Sequence, residues 1–248
     1  MPVSPKNLHE EVTDQLGSAI ASGEIPAGSS LLLDTLGIQY QVSRSVIREV
    51  VRVLASLGMV AMKRHVGIIV LPVHDWNLFA PQIIRWRLSS PDRIPQFRSL
   101  TELRTAIEPE AAYLSATRAH LDEAGDLMSL AGRMWASGNA GDGRSYLDLD
   151  IHFHTLVLVS SGNEMFGAFA PIVAEILTSR TNAGLVPSSP HVEALQLHID
   201  VASAIQRGQP DQAKEAMNRI VARTLEEMSS VWEGLPRGPL SSHPSVPS

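Results

Sequence analysis

The stretch that most constrains the fold of this 248-residue chain is residues 43–71. Ile47, Val50, Val51, Leu54 and Leu57 recur at helical spacing, which predicts a helix over 44–57 with one buried stripe. Gly58 stops that helix, and two β-rich runs follow at once, 59–63 and 67–71, with Arg64 and His65 at the turn between them. Upstream, Leu8, Val12, Leu16 and Ile20 are each four residues from the next, so residues 8–22 predict an amphipathic helix. Gly23 and the Gly/Pro-containing 24–28 stretch end it, and a short second helix fits 33–40. Gln41-Val42-Ser43 reads as a turn ending in an N-cap serine. Three helices followed by a two-stranded wing is the order of a winged helix-turn-helix.

The charges on the third of these helices agree with that order. Arg44, Arg48 and Arg52 are spaced i, i+4, i+8 and share the face away from the apolar stripe, with Ser45 at the helix start. The N-terminal part of such a helix meets base edges in the major groove, where arginine bonds guanine bidentately. Lys63, Arg64 and His65 on the wing are placed to reach phosphates or the minor groove. Net charge is −6, so the chain is not coated with basic charge, yet its halves differ. Residues 1–72 carry six Lys/Arg and six Asp/Glu, whereas the rest is acidic; five of those six cations fall between 44 and 64. A locally basic segment in an acidic chain is a phosphate-contacting footprint. On their own, three arginines on a helix also describe a solvated face, with Glu49 and Arg52 paired.

Pro72 and the residues after it suggest a linker with a short helix over 73–92. From Asp75 onward strand signals vanish. Helices are predicted at 76–88, 95–119, 121–137, 144–160, 164–183, 190–207 and 210–232, broken by Gly, Pro and Ser clusters. The fold class is therefore mainly α: an N-terminal winged helix-turn-helix over 1–72 and a C-terminal all-α helical bundle over 93–232. The Pro/Ser/Gly-rich 233–248 reads as a disordered tail. With no cysteine, disulfides, thiolate metal sites and thiol nucleophiles are excluded. No apolar run is long enough to span a membrane and no signal peptide is visible, so a cytoplasmic location is expected.

The helical half holds one set of residues with metal-ligand spacing. Asp150 and His154 are i, i+4 on one helix, and His198 shares its side of a later helix with Leu195, Val201, Ala202 and Ile205. An Asp and two His converging in a bundle suit a divalent ion such as Zn, Ni or Mn. A buried histidine is also commonly a hydrogen-bonded core residue, and an Asp–His i, i+4 pair a surface contact.

These segments resemble a known family. LHEEVTDQLGSAIASGEIPAGSSL followed by VSRSVIREVVRVLASLGMVAMKRHVGIIVLP resembles the DNA-binding domain of GntR-type bacterial regulators. The resemblance implies that Arg44, Ser45 and Arg48, with the wing around His65 and Gly67, contact operator DNA. Leu32 and Leu33 depart from the polar cap and acid that tend to open the family's second helix. DLDIHFHTLVLVSSGN and LHIDVASAIQRGQPDQAKEAM are similar to the FCD-type helical effector domain of the FadR branch. Many members of that branch hold a metal with the residues matching Asp150, His154 and His198 and one further histidine, whose position here is Ile220. Three protein ligands would leave coordination positions for water or for an effector's oxygens. The segment MKRHVGIIVLPVHDWNLFAPQIIRWRL is similar to the sugar-acid regulators of that branch, which implies an aldonate or related sugar acid as effector. Arg104 matches an arginine that faces the effector pocket in such regulators; a salt bridge to Glu108, four residues on, is the alternative. Arg180 is a candidate for sugar hydroxyls, and Asn163 for either the pocket or a helix cap. A dimeric, ligand-responsive repressor is the expectation. A DNA-binding protein whose helical domain only dimerises, and a metal-dependent enzyme, are the alternatives.

Overall fold

The computed structural model describes residues 5–185 and 190–232. The expected tail over 233–248 lies outside the described residues. The chain divides into two compact units, one ending at Arg93 and the other starting at Ile94.

The first unit opens with α1 (Pro5–Ala21), which buries Val12, Leu16 and Ile20. A two-residue strand β1 (Ser30–Leu31) leads into α2 (Leu33–Gln39), which starts at Leu32 with no side-chain cap. α3 (Arg44–Ser56) is capped by Ser43, whose Oγ accepts from the Val46 N–H. Its buried residues are Ile47, Val50, Val51 and Leu54, the stripe read from the sequence. β2 (Val60–Lys63) and β3 (Gly67–Val70) form an antiparallel hairpin, with Lys63 opposite Gly67. β1 adds to the free edge of β3, so the sheet order is β1-β3-β2. The periodicity does not predict β1, because two residues are too few to show an alternation.

Two glycines allow close approaches here. Gly67 has φ 106, and a Cβ there would lie 2.7 Å from the Leu31 carbonyl oxygen, so its absence lets β1 come alongside. Gly58 has φ 74, and a Cβ there would collide with the Asp75 carbonyl oxygen.

The segment expected as a linker is packed. A 3-10 turn, Val73–Asp75, precedes α4 (Pro81–Leu88), and Trp76, Ala80, Ile83 and Trp86 join the same buried cluster as α1 and α3. The helix expected from residue 76 begins only at Pro81. Proline disfavours the helical region for the residue before it, and Ala80 is extended at φ −71, ψ 124. Trp86 is 3% exposed, lies over Gly17 and donates from Nε1 to Asp14 Oδ1 at 2.9 Å.

The second unit is six helices among the described residues: α5 (Ile94–Arg118), α6 (Leu121–Ala140), α7 (Gly143–Ser160), α8 (Glu164–Asn182), α9 (Val192–Gln206) and α10 (Pro210–Trp232). α5 packs along α10 and α7 lies against α6 and α8. Asp142 caps α7 by accepting from the Ser145 N–H at 3.1 Å. The core is built on Phe97, Leu127, Met134, Phe153, Val173 and Val201. No described helix is long and apolar enough to cross a membrane.

Candidate functional site

On α3, Arg44, Ser45, Arg48 and Arg52 are all exposed, as their spacing requires once Ile47, Val50, Val51 and Leu54 are buried. Arg44 Nε lies 3.2 Å from Asp34 of α2, and Arg52 Nη1 lies 2.6 Å from Glu49. Arg48 has no ion pair among the described residues. Ser45 Oγ is 2.8 Å from Ser43 Oγ at the helix start. The wing turn exposes Lys63, Arg64, His65 and Val66, and His65 takes the left-handed conformation at φ 64. Gly67 is half-buried, and its place in the hairpin is explained by the passage of β1.

The second unit brings together Asp150 and His154 of α7 with His198 of α9. Their nearest ligand atoms all lie within 4.8 Å of one another. His154 and His198 are 2% and 3% exposed, and Phe153 packs edge-on against both rings. Asp150 Oδ1 is 3.2 Å from His198 Nε2 and 3.4 Å from His154 Nε2. His198 Nδ1 is 2.7 Å from the Ala194 carbonyl oxygen. An Nδ1–H donating to that carbonyl leaves Nε2 with a bare lone pair. That Nε2 is buried, makes no well-aligned hydrogen bond among the described residues, and has Asp150 Oδ1 beside it at 3.2 Å. A buried, unpartnered imidazole nitrogen beside a carboxylate and a second imidazole fits a divalent cation: the donor set is nitrogen and oxygen, and the unmet lone pair needs an acceptor-seeking partner.

Behind His154 stands a buried ion pair. Arg104 donates to Glu108 from Nε at 2.5 Å and from Nη2 at 3.3 Å, and both residues are 1% exposed. The other side of Glu108 meets His154 Nδ1 at 2.6 Å. The salt bridge considered for Arg104 is therefore present, and Arg104 also lines the cavity, so the two readings of that residue coexist. Burial would raise the Glu108 carboxyl, but Arg104 and His154 bring it down to about 2. Burial would lower His154, but Glu108 and Asp150 raise it to about 9. Burial would likewise raise Asp150, but the two imidazoles hold it well below the usual carboxylate range.

A cavity of ≈ 90 Å³ opens on this cluster. α10 contributes Ile220, Thr224 and Glu227 to its wall, and α7 adds Tyr146, one turn before Asp150. Burial and the Asp150 and Glu227 carboxylates push the Tyr146 phenol far above its ordinary value, so it is a neutral hydroxyl. Ile220, at the position where the resemblance expects a histidine, faces the cavity with no ligating atom. Arg180 stands behind this wall, with Nη1 3.5 Å from Thr224 Oγ1 and Nη2 3.5 Å from Glu227 Oε2. Asn163 does not line the cavity; it caps α8, accepting from the Met165 N–H at 3.0 Å, the alternative considered for it. Tyr146, Thr224 and Glu227 were not predicted. Helical phase alone would have found Tyr146, which is i−4 from Asp150 and i−8 from His154.

A winged helix-turn-helix and an all-helical unit with a buried polar cavity define a DNA-binding transcription regulator. Residues 8–70 match the gntR family of bacterial regulatory proteins and residues 99–223 match the FCD domain, and the chain belongs to this family. The galactonate operon transcriptional repressor of Escherichia coli (strain K12) is 26% identical over 91% of this chain and 98% of its own length. The protein of the same organism named "Putative L-lactate dehydrogenase operon regulatory protein" is 29% identical over 88% of this chain and 84% of its own length. The solved structure of Streptococcus agalactiae GntR is 26% identical, covers 88% of this chain and 99% of its own, and superposes with a TM-score of 0.50. These relatives are regulators, not enzymes.

Proposed function

We propose that this chain represses genes for the catabolism of a sugar acid or related 2-hydroxy acid, and releases its operator when that acid binds the helical unit. The observation that carries the reading is the convergence of Asp150, His154 and His198 on a cavity whose neighbouring arginines are already paired. Galactonate and L-lactate, named in two relatives, share a carboxylate with an α-hydroxyl. That pair of oxygens is a bidentate ligand for a divalent ion with open positions. Asp150, His154 and His198 would hold a Zn, Ni or Mn ion, which when bound would supply the positive centre for those oxygens. Ile220 contributes no fourth ligand. Arg104 keeps Glu108 against His154 and has Nη1 left for a ligand oxygen, and Arg180 supports Thr224 and Glu227.

At the other unit, Arg48 is the free guanidinium for a guanine edge, and Arg44, Ser45 and Arg52 flank it. Lys63, Arg64 and His65 on the wing take phosphates or the minor groove. A homodimer presents two such helices to the half-sites of an operator. The acid acts by favouring one arrangement of that dimer over the other.

Fluorescence anisotropy on DNA from upstream of the gene, titrated with sugar acids and L-lactate at fixed salt, tests the proposal. Specific binding that a 2-hydroxy acid weakens supports it. Specific binding that no acid alters leaves a DNA-binding protein whose helical unit only dimerises.

A further inference from the structure

The cavity lining holds two unlike sets of groups. One is Asp150, His154 and His198. The other is Tyr146 of α7 with Thr224 and Glu227 of α10, three oxygen groups. Each has unused hydrogen-bonding capacity. The Tyr146 hydroxyl has no hydrogen-bond partner among the described residues. Thr224 donates to the Ile220 carbonyl at 3.3 Å and accepts from Arg180 Nη1 at 3.5 Å, which leaves one lone pair on its hydroxyl oxygen. Glu227 accepts one bond at each oxygen, from Arg223 Nε at 3.1 Å and from Arg180 Nη2 at 3.5 Å, and a carboxylate has room for about four.

Among the described residues, the same wall lacks a free guanidinium or ammonium group. Arg223 Nη1 is committed to Glu193 at 2.9 Å, in addition to its bond with Glu227. Arg180 has Glu227 as its acid and Arg104 as a repelling neighbour. Glu193 also holds Arg219 Nη2 at 2.9 Å, but Arg219 does not line this cavity. Each guanidinium at the wall is thus already bonded to a carboxylate, and an incoming carboxylate meets the Glu227 carboxylate there. Ligand hydroxyls find acceptors.

We propose that this wall reads the hydroxyl groups of the ligand and excludes a second carboxylate, so that the site selects monocarboxylic over dicarboxylic hydroxy acids, with Glu227 as the selectivity-determining residue. The inference rests on the effector reading above.

Calorimetric titration of the full chain, metal-free and with equimolar Zn²⁺, against two matched pairs tests it. Galactonate and galactarate differ in the terminal carbon, CH₂OH against carboxylate; L-lactate and L-malate differ by one added carboxylate. In wild type each monoacid should bind at least about tenfold more tightly than its diacid, the scale of a like-charge contact in a desolvated site. Glu227→Gln should bring each ratio to within about threefold. Tyr146→Phe removes a hydroxyl that no described residue uses; it should weaken galactonate about five- to tenfold and leave L-lactate unchanged. Diacids binding as well as monoacids in wild type would overturn the inference while leaving the effector reading in place, as would ratios that Glu227→Gln does not change. Discrimination between lactate and malate with no binding of six-carbon acids would sustain the exclusion by Glu227 and overturn the sugar-acid reading. Silence from all four acids overturns both.

Discussion

Replacing Gly17 by alanine sets two opposed effects of known size against each other. Gly17 lies inside α1, where alanine is favoured over glycine by about 1 kcal/mol through helix propensity. The added Cβ, however, would sit 2.6 Å from two ring carbons of Trp86 and 2.7 Å from a third. That is about 0.8 Å inside the 3.4 Å onset of ordinary contact. The ring has no easy escape: Trp86 is 3% exposed and its Nε1 is tied to Asp14 at 2.9 Å. Overpacking of this kind costs about 1–3 kcal/mol, and tilting the ring to relieve it sacrifices a hydrogen bond of about 1 kcal/mol. Together the steric and hydrogen-bond losses exceed the propensity gain by about 1–3 kcal/mol. For a domain of 60–100 residues each kcal/mol lowers the midpoint by about 4–8 °C. Gly132→Ala supplies the control, because it lies in α6 with nothing within 4 Å of the new Cβ and should gain up to about 1 kcal/mol. Scanning calorimetry of the full chain measures both. A Gly17→Ala protein melting at or above wild type would refute the placement of α4 on α1.

Four further outcomes are expected. Arg48→Ala should weaken operator binding about 10- to 100-fold and relax preference at one base pair, whereas Arg44→Ala and Arg52→Ala lose less because those guanidiniums must first leave Asp34 and Glu49; anisotropy on single-base operator variants reads this. Ile220→His places a fourth ligand, a third imidazole beside His154 and His198, in the cavity wall, so Zn²⁺ held against a chromophoric chelator should be retained more strongly while the acid response is blunted. Dialysis against EDTA should abolish the acid response and leave operator binding intact; a response that survives chelation would remove the metal from the proposal. In the metal-free protein, the raised His154 contributes stability that is complete below its ordinary value of 6.5 and is lost as pH rises through about 9, while the lowered Glu108 contributes stability that is complete above 4.5 and is lost as pH falls through about 2. Melting temperature against pH should fall on the alkaline side in wild type and lose that limb in Glu108→Gln.

The helices were legible because their apolar residues keep a period of 3.6 and their ends carry Gly, Ser and Pro. α3, α7 and α10 each fall within one residue of their expected bounds. What the sequence did not show depends on distance along the chain. β1 exists only because β3 offers an edge and Gly67 offers room, and two residues carry no period. The packing of 73–88 against α1 needs Gly17, Asp14 and Trp86 together, some seventy residues apart. Asp150 and His154 share a helix turn and were readable from spacing alone. Thr224 and Glu227 reach the cavity only through the packing of α10, and nothing local distinguishes them from an exposed helical face.

The same interaction, an arginine beside an acid, has opposite consequences in the two units, and burial decides which. Asp34 and Arg44 are 71% and 61% exposed, and Glu49 and Arg52 are similarly open. Exposed pairs of this kind contribute about 0–1 kcal/mol, so a phosphate or a guanine edge displaces the acid at little cost. These pairs hold the arginines in place without withdrawing them from DNA. The Arg104 and Glu108 side chains are 2% and 1% exposed, and separating a buried pair costs about 3–5 kcal/mol. A ligand carboxylate entering the cavity gains too little from one arginine to evict Glu108. It must find its positive charge elsewhere, and the atoms nearby able to hold one are the unpartnered Nε2 of His198, the Nε2 of His154 and the Asp150 carboxylate. The buried arginine therefore supports the metal reading rather than competing with it: by fixing Glu108 it fixes His154, and it leaves the cation position between the two histidines and Asp150 as the place an acid can bind.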